Sequence, residues 1–98
     1  MALKVIWSPE AIADLDDLTA FIARDNPTAA EKTGRAILDK TRYLPDFPLM
    51  GRMVPERKKP DIREIFHGPF RIIYRVRRRH GVVEIMRVWH GARGTPVI

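Results

Sequence analysis

Apolar residues recur along this chain with two different spacings, and the change between them divides it into two halves. Residues 3–7, Leu-Lys-Val-Ile-Trp, are partly β-branched and predict a short first strand. Ser8-Pro9-Glu10 then predicts a helix start. Ser8 suits the N-cap, Pro9 the first helical position, and Glu10 the positive end of the helix dipole. Ile12, Leu15, Leu18 and Ile22 follow at helical spacing, flanked by Ala11 and Phe21, while Asp14, Asp16 and Asp17 lie mostly off that stripe. Asp25-Asn26-Pro27 ends this helix and caps a second one over about 28–44. Its expected buried positions are Ala30, Ile37, Leu38, Thr41 and Leu44, and Gly34 permits close approach of the two helices. The short link predicts an antiparallel hairpin.

Pro45, Pro48, Gly51, Pro55 and Pro60 predict a charged loop without regular structure over 45–60. From Asp61 the apolar period becomes two. Strands are expected at 62–66, 70–77 and 82–90, joined by turns at His67-Gly68-Pro69 and Arg78-Arg79-His80-Gly81. The order β-α-α-β-β-β implies an α+β fold, an antiparallel sheet with a two-helix hairpin packed on one face, as a single domain over 1–98. Phe70, Ile72, Tyr74 and Val76 share the face assigned to the helices. Arg71, Ile73, Arg75 and Arg77 point to the other face, expected to be partly open.

Composition narrows the classes. The chain is 45% hydrophobic and 31% charged, which suits a globular protein. It has no cysteine, so disulfides and thiolate metal sites are excluded. His67, His80 and His90 are too scattered to predict a metal site, and no cofactor is expected. No apolar run approaches the roughly 20 residues of a membrane helix. The expectation is a soluble cytoplasmic protein without membrane contact.

Charge changes the picture more. Residues 50–98 hold twelve Lys/Arg against four Asp/Glu, whereas residues 1–49 hold six against eight. The excess falls on the predicted strands. Glu64 and Glu84 can pair with at most two of their arginines, so the arginine face is read as an anion-binding surface for a polyphosphate or an acidic protein segment. The run Arg77-Arg78-Arg79 is read as a solvated charge cluster at a hairpin tip. Ser8 is read as a cap, not a nucleophile. Trp7 is assigned to the core, while Trp89 fits either the core or an exposed patch.

Several segments, taken in order, carry a resemblance. They are Trp7-Ser8-Pro9-Glu10-Ala11 with Asp14-Leu15; Asp25-Asn26-Pro27-Thr28-Ala29-Ala30; Phe47-Pro48-Leu49-Met50-Gly51-Arg52 with Pro55-Glu56; Arg63-Glu64; Phe70-Arg71-Ile72-Ile73-Tyr74-Arg75-Val76; and Val88-Trp89-His90-Gly91-Ala92-Arg93. Together they resemble the ParE/RelE superfamily of bacterial type II toxins, the ParE branch in particular. The resemblance implies the fold above and a ParD-like antitoxin bound in a hetero-oligomer. It implies DNA gyrase or the ribosome as target, since ParE-like toxins are described as gyrase poisons and RelE-like relatives cut messenger RNA on the ribosome. Arg63, Arg71, Arg75, Arg87, His90 and Arg93 are the residues expected to meet antitoxin or target.

Cutting RNA through its own 2′-hydroxyl needs a base, an acid and cations for the developing phosphate charge. By resemblance, Arg71 and Arg93 stand where RNA-cutting relatives keep catalytic arginines. Glu56 or His90 would serve as base, or His90 as acid. RNA-cutting relatives commonly end with a tyrosine or a histidine-tyrosine pair; here Gly94-Thr95-Pro96-Val97-Ile98 has no titratable side chain. The favoured expectation is therefore a non-catalytic gyrase inhibitor, with a metal-independent endoribonuclease as the alternative.

Overall fold

The computed structural model describes residues 3–98. Its elements are β1 (Lys4–Trp7), α1 (Pro9–Ala23), α2 (Pro27–Thr41), β2 (Arg52–Met53), β3 (Ile62–His67), β4 (Phe70–Arg77) and β5 (Val82–His90). The strands form one sheet in the order β1-β5-β4-β3-β2. The antiparallel meander of β3, β4 and β5 is as the alternation predicts. Two features add to it. β1 pairs parallel with β5, so the sheet is mixed. The stretch expected to lack regular structure contributes β2, where Arg52 pairs with Glu64 and Met53 with Arg63.

Both helices begin as the sequence predicts. Ser8 Oγ accepts from the Ala11 amide at 3.0 Å and Asn26 Oδ1 from the Ala29 amide at 3.0 Å, each followed by proline at the first turn. A side-chain cap of this kind contributes about 1 kcal/mol. α2 stops at Thr41, short of the predicted end near 44, and the chain turns before Pro45. Leu44 is nevertheless fully buried. Two expected core positions are corrected: Ile12 is 50% exposed and Leu38 is 45% exposed. Each lies one residue past the buried Ala11 or Ile37, which turns it about 100° away from the sheet. Gly34 meets its expectation, since a Cβ there would lie 3.2 Å from Thr19 Cγ2 across the hairpin.

The sheet carries apolar clusters on both faces. Ala11 and Ile37 pack with Ile72, Tyr74, Val76, Val83, Ile85 and Val88 on the helix side. Val54, Ile62, Ile73 and Trp89 form a second cluster, with Ile98 against it. A bulge makes this division possible. Ile73 pairs with Arg87 but Tyr74 pairs with Ile85, which leaves Met86 as the extra residue. Strict alternation from Val83 would send residues 87 and 89 to the helix side. The bulge reverses the phase, so Val88 continues the helix-side core and Trp89 enters the second one.

Where β1 ends, α1 takes over the edge of β5. Ser8 Oγ donates to the Met86 carbonyl at 2.9 Å, and the Val88 amide donates to Asp14 Oδ2 at 3.0 Å. The strand edge thus keeps its backbone hydrogen bonds beyond the last residue of β1.

Candidate functional site

The Arg71 end of the arginine face of β4 is occupied from within the molecule. Arg71 is only 8% exposed. Its terminal nitrogens donate to both carboxylate oxygens of Glu56, at 2.9 and 2.8 Å. It also donates to both oxygens of Glu64, Nε at 2.5 Å and Nη2 at 3.2 Å. The Glu64 side chain is fully buried and accepts a further bond from Arg52 Nε at 2.8 Å. Two guanidinium groups and two carboxylates therefore cancel. The hydrogen bond from Arg71 holds the Glu56 carboxyl well below the usual range, at about 2. Its partner Arg71 is pushed up, chiefly by the bonds to Glu56 and Glu64. The expectation of an open face of available arginines is corrected at Arg71, whereas Arg75 and Arg77 on the same strand border an open cleft.

Local folding explains the clasp. Glu64 is delivered by register, because Phe66 sits opposite Arg71 and Glu64 is its diagonal neighbour on β3. Glu56 is delivered by a tight loop: the Arg57 and Lys58 amides both donate to the Val54 carbonyl at 3.0 Å, and Lys58 takes a φ of 53°. Gly51 lets the preceding segment reach the sheet. A Cβ there would lie 2.5 Å from the Glu64 carbonyl oxygen and 2.8 Å from the Tyr74 hydroxyl. The Gly51 amide donates to that hydroxyl at 3.0 Å, and the hydroxyl donates to the Pro48 carbonyl at 2.8 Å. Burial pushes the Tyr74 hydroxyl pKa up.

Two more of the expected binding arginines are engaged internally. Arg87 forms a two-pronged pair with Asp14, at 2.7 and 2.8 Å, and donates to the Val97 carbonyl at 3.0 Å. The hydrogen bond to Asp14 is the main cause of its raised pKa. Arg63 donates to the carbonyls of Pro60 at 2.9 Å and Gly51 at 3.1 Å, which ties the loop to β3. Sequence reasoning gave no role to Asp14, and its helical offset from the apolar stripe carries no mark of this one. Glu64 had a signal, its place on the arginine face, but its burial did not show.

His90, Arg93 and Arg75 remain accessible to different degrees. His90 Nδ1 accepts from the Ala92 amide at 3.0 Å, and its ring meets Phe70 edge-on at 5.4 Å. Arg93 lies over the Trp89 ring at 4.1 Å. His90 and Arg93 line a cleft of about 320 Å³ with Phe21, Ile22, Phe70 and Val88. Arg75 faces a second cleft, of about 700 Å³, at the β4–β5 hairpin end. So Glu56 is joined to Arg71, and His90 shares a cleft with Arg93. No hydrogen bond or ion pair links the two pairs among the described residues. Among those residues no group of three or more His, Asp or Glu is placed to hold a metal ion, and no helix is long and apolar enough to cross a membrane.

This architecture is shared with solved toxin–antitoxin structures. The chromosomal ParDE system from P. aeruginosa matches with a TM-score of 0.75 and 23% identity, over 91% of this chain and 96% of that one. The RelBE2 toxin–antitoxin complex from Mycobacterium tuberculosis matches with a TM-score of 0.59 and 22% identity, over 92% and 99%. In sequence, the chain is 32% identical to the putative toxin Y4kP of Sinorhizobium fredii, over 97% of this chain and 95% of the relative. It is 30% identical to the toxin RelE2 of Caulobacter vibrioides, over 92% and 97%. The family model of the ParE toxin of the type II toxin–antitoxin system, parDE, matches residues 5–94. The chain belongs to the ParE toxin family, within the ParE/RelE group of type II toxins.

Proposed function

We propose that this toxin arrests growth by binding DNA gyrase in the cytoplasm, without covalent chemistry of its own, and that a ParD-like antitoxin neutralises it. The observation that carries the non-catalytic reading is the capture of Arg71 by two carboxylates. A cation that is to stabilise a scissile phosphate needs free donors aimed at the substrate. Here four of the five Arg71 N–H donors are directed at Glu56 and Glu64. Glu56, with its carboxyl held near 2, is too weak a base at neutral pH to accept a hydroxyl proton efficiently.

The antitoxin reading rests on apolar surface. Ile12, Phe21 and Leu38 stand exposed on the helical hairpin, Phe21 at 67%. An amphipathic acidic segment would lay apolar side chains there, with carboxylates near Arg93 and His90. The melting temperature of the toxin should rise when its cognate antitoxin is added; an unchanged value contradicts this part.

The target is tested by two assays on the purified protein. Supercoiling by gyrase should stop at micromolar toxin, with cleaved DNA trapped. Primer extension on translated messages should show no new cuts at the ribosomal A site. Untouched supercoiling together with A-site cuts that disappear in Arg93→Ala would replace this reading with the ribosome-dependent endoribonuclease.

A further inference from the structure

We propose that the cleft at the β4–β5 hairpin end is a phosphodiester-binding site that grips the backbone of duplex DNA. It is lined by Lys59 from the loop before β3, and by Arg75, Arg77, Arg78 and Arg79 from the end of β4 and the turn after it. Two separate stretches of basic chain thus flank one groove. Asp61 is the one carboxylate in its wall. Glu84, opposite Arg75 on β5, reaches Arg77 at 3.6 Å and forms no ion pair with Arg75. The buried Nε of Arg75 has no hydrogen-bond partner among the described residues. A buried donor without an acceptor is costly, and like charges gathered this closely repel. An anionic oxygen entering the groove relieves the repulsion.

The choice of ligand follows from what else the groove contains. Among the described residues no Phe, Tyr or Trp lines it and His80 is its one aromatic ring, so it has no run of aromatic rings on which successive single-stranded bases stack. For an acidic peptide its wall offers Leu49 with the smaller Pro60 and Val76, while the most exposed aromatic side chain, Phe21, lies away from it on the helical hairpin. Five guanidinium and ammonium groups against one carboxylate fit regularly repeated phosphates, read without sequence preference. The proposal deepens the gyrase reading, because a toxin that grips DNA would add contacts to an enzyme already holding a duplex. Binding itself does not depend on that reading.

The test is fluorescence anisotropy of the full chain with a labelled random-sequence DNA duplex over a series of KCl concentrations. With up to five groove cations engaged, log K should fall against log[KCl] with a slope of about −4.5, near 0.9 per neutralised phosphate. In Arg78→Gln/Arg79→Gln the slope should become shallower by about 2. In Arg35→Gln/Arg42→Gln, which removes the same charge from exposed positions on and just after α2, the slope should stay as in the wild type. Arg78→Lys/Arg79→Lys should keep it as well, which separates lost charge from lost fold. Equal slopes in the two Gln variants would overturn the site. Displacement of the duplex by poly-glutamate at lower concentration than by unlabelled duplex would assign the groove to acidic protein instead. Tighter binding of single-stranded RNA than of duplex DNA would equally overturn it. Intact DNA binding with no effect on gyrase removes the target reading and leaves the groove. Gyrase inhibition that persists in a protein shown not to bind DNA does the reverse.

Discussion

Arg71 and Arg75 stand four residues apart on one strand and point to the same side of the sheet, yet their situations are opposite. Arg71 is held by two carboxylates that accept four of its five N–H donors. Arg75 has a buried Nε that meets no acceptor and sits among further cations. The number of arginines is not what separates the two regions; the supply of carboxylates is. Two of the four acids in the second half of the chain, Glu56 and Glu64, converge on Arg71. The remaining two, Asp61 and Glu84, leave the hairpin end with a surplus of positive charge. One end of the sheet is therefore internally neutral and structural, and the other keeps its field for a partner.

The largest test of this contrast is Glu64→Ala. It strands Arg71 in a buried site with half of its partners gone, and a broken buried pair of this kind costs roughly 3–5 kcal/mol. Urea denaturation should show that loss in Glu64→Ala. Arg75→Met, on the same face, should lie within about 1 kcal/mol of wild type or above it, since it removes an unsatisfied donor. Similar losses in the two variants would erase the distinction between the regions.

Gly51→Ala probes how the clasp is assembled. The added methyl would press on the Glu64 carbonyl and the Tyr74 hydroxyl, and a forced shift of packed backbone costs roughly 1–3 kcal/mol. A melting temperature unchanged from wild type would mean that the 48–52 segment does not need its close approach to β3 and β4.

Acid sharpens the comparison at Glu56. Its carboxyl is depressed in the folded state from 4.5 to about 2. The stabilisation is therefore fully present above about 4.5 and is lost as pH falls toward 2, where the folded form also takes up its proton. The effect is on the order of 2 kcal/mol, allowing for solvent at this partly exposed side chain. The difference in unfolding free energy between wild type and Glu56→Gln should be constant from pH 7 to about 5 and shrink below that. A difference independent of pH down to about 2 would show that Arg71 does not set the Glu56 charge.

The smallest expected effect is a surface control. Arg35 and Glu31 pair at 2.8 Å on α2 with both side chains about 70% exposed. Glu31→Ala should change stability by about 0.5 kcal/mol or less. A loss comparable to that of Glu64→Ala would mean that burial does not rank these pairs.

Local chemistry made much of the fold readable from the residues. Ser8-Pro9 and Asn26-Pro27 start their helices because a capping oxygen and a proline act within a single turn. The meander of β3, β4 and β5 follows from period-two alternation and glycine-bearing turns. Membership of the toxin family was legible in the ordered motifs for the same reason, since each motif marks a local structural need. What could not be read was the state of each arginine. Alternation places Arg71 and Arg75 on one face but does not say which acids arrive there. Glu56 reaches Arg71 only because a proline-rich loop folds back onto the sheet. Asp14 reaches Arg87 only because α1 takes over the edge of β5, and Trp89 becomes core only because Met86 bulges out of register. Ion pairing between distant segments depends on separations of a few ångströms in space, and those distances exist only once the whole chain has closed.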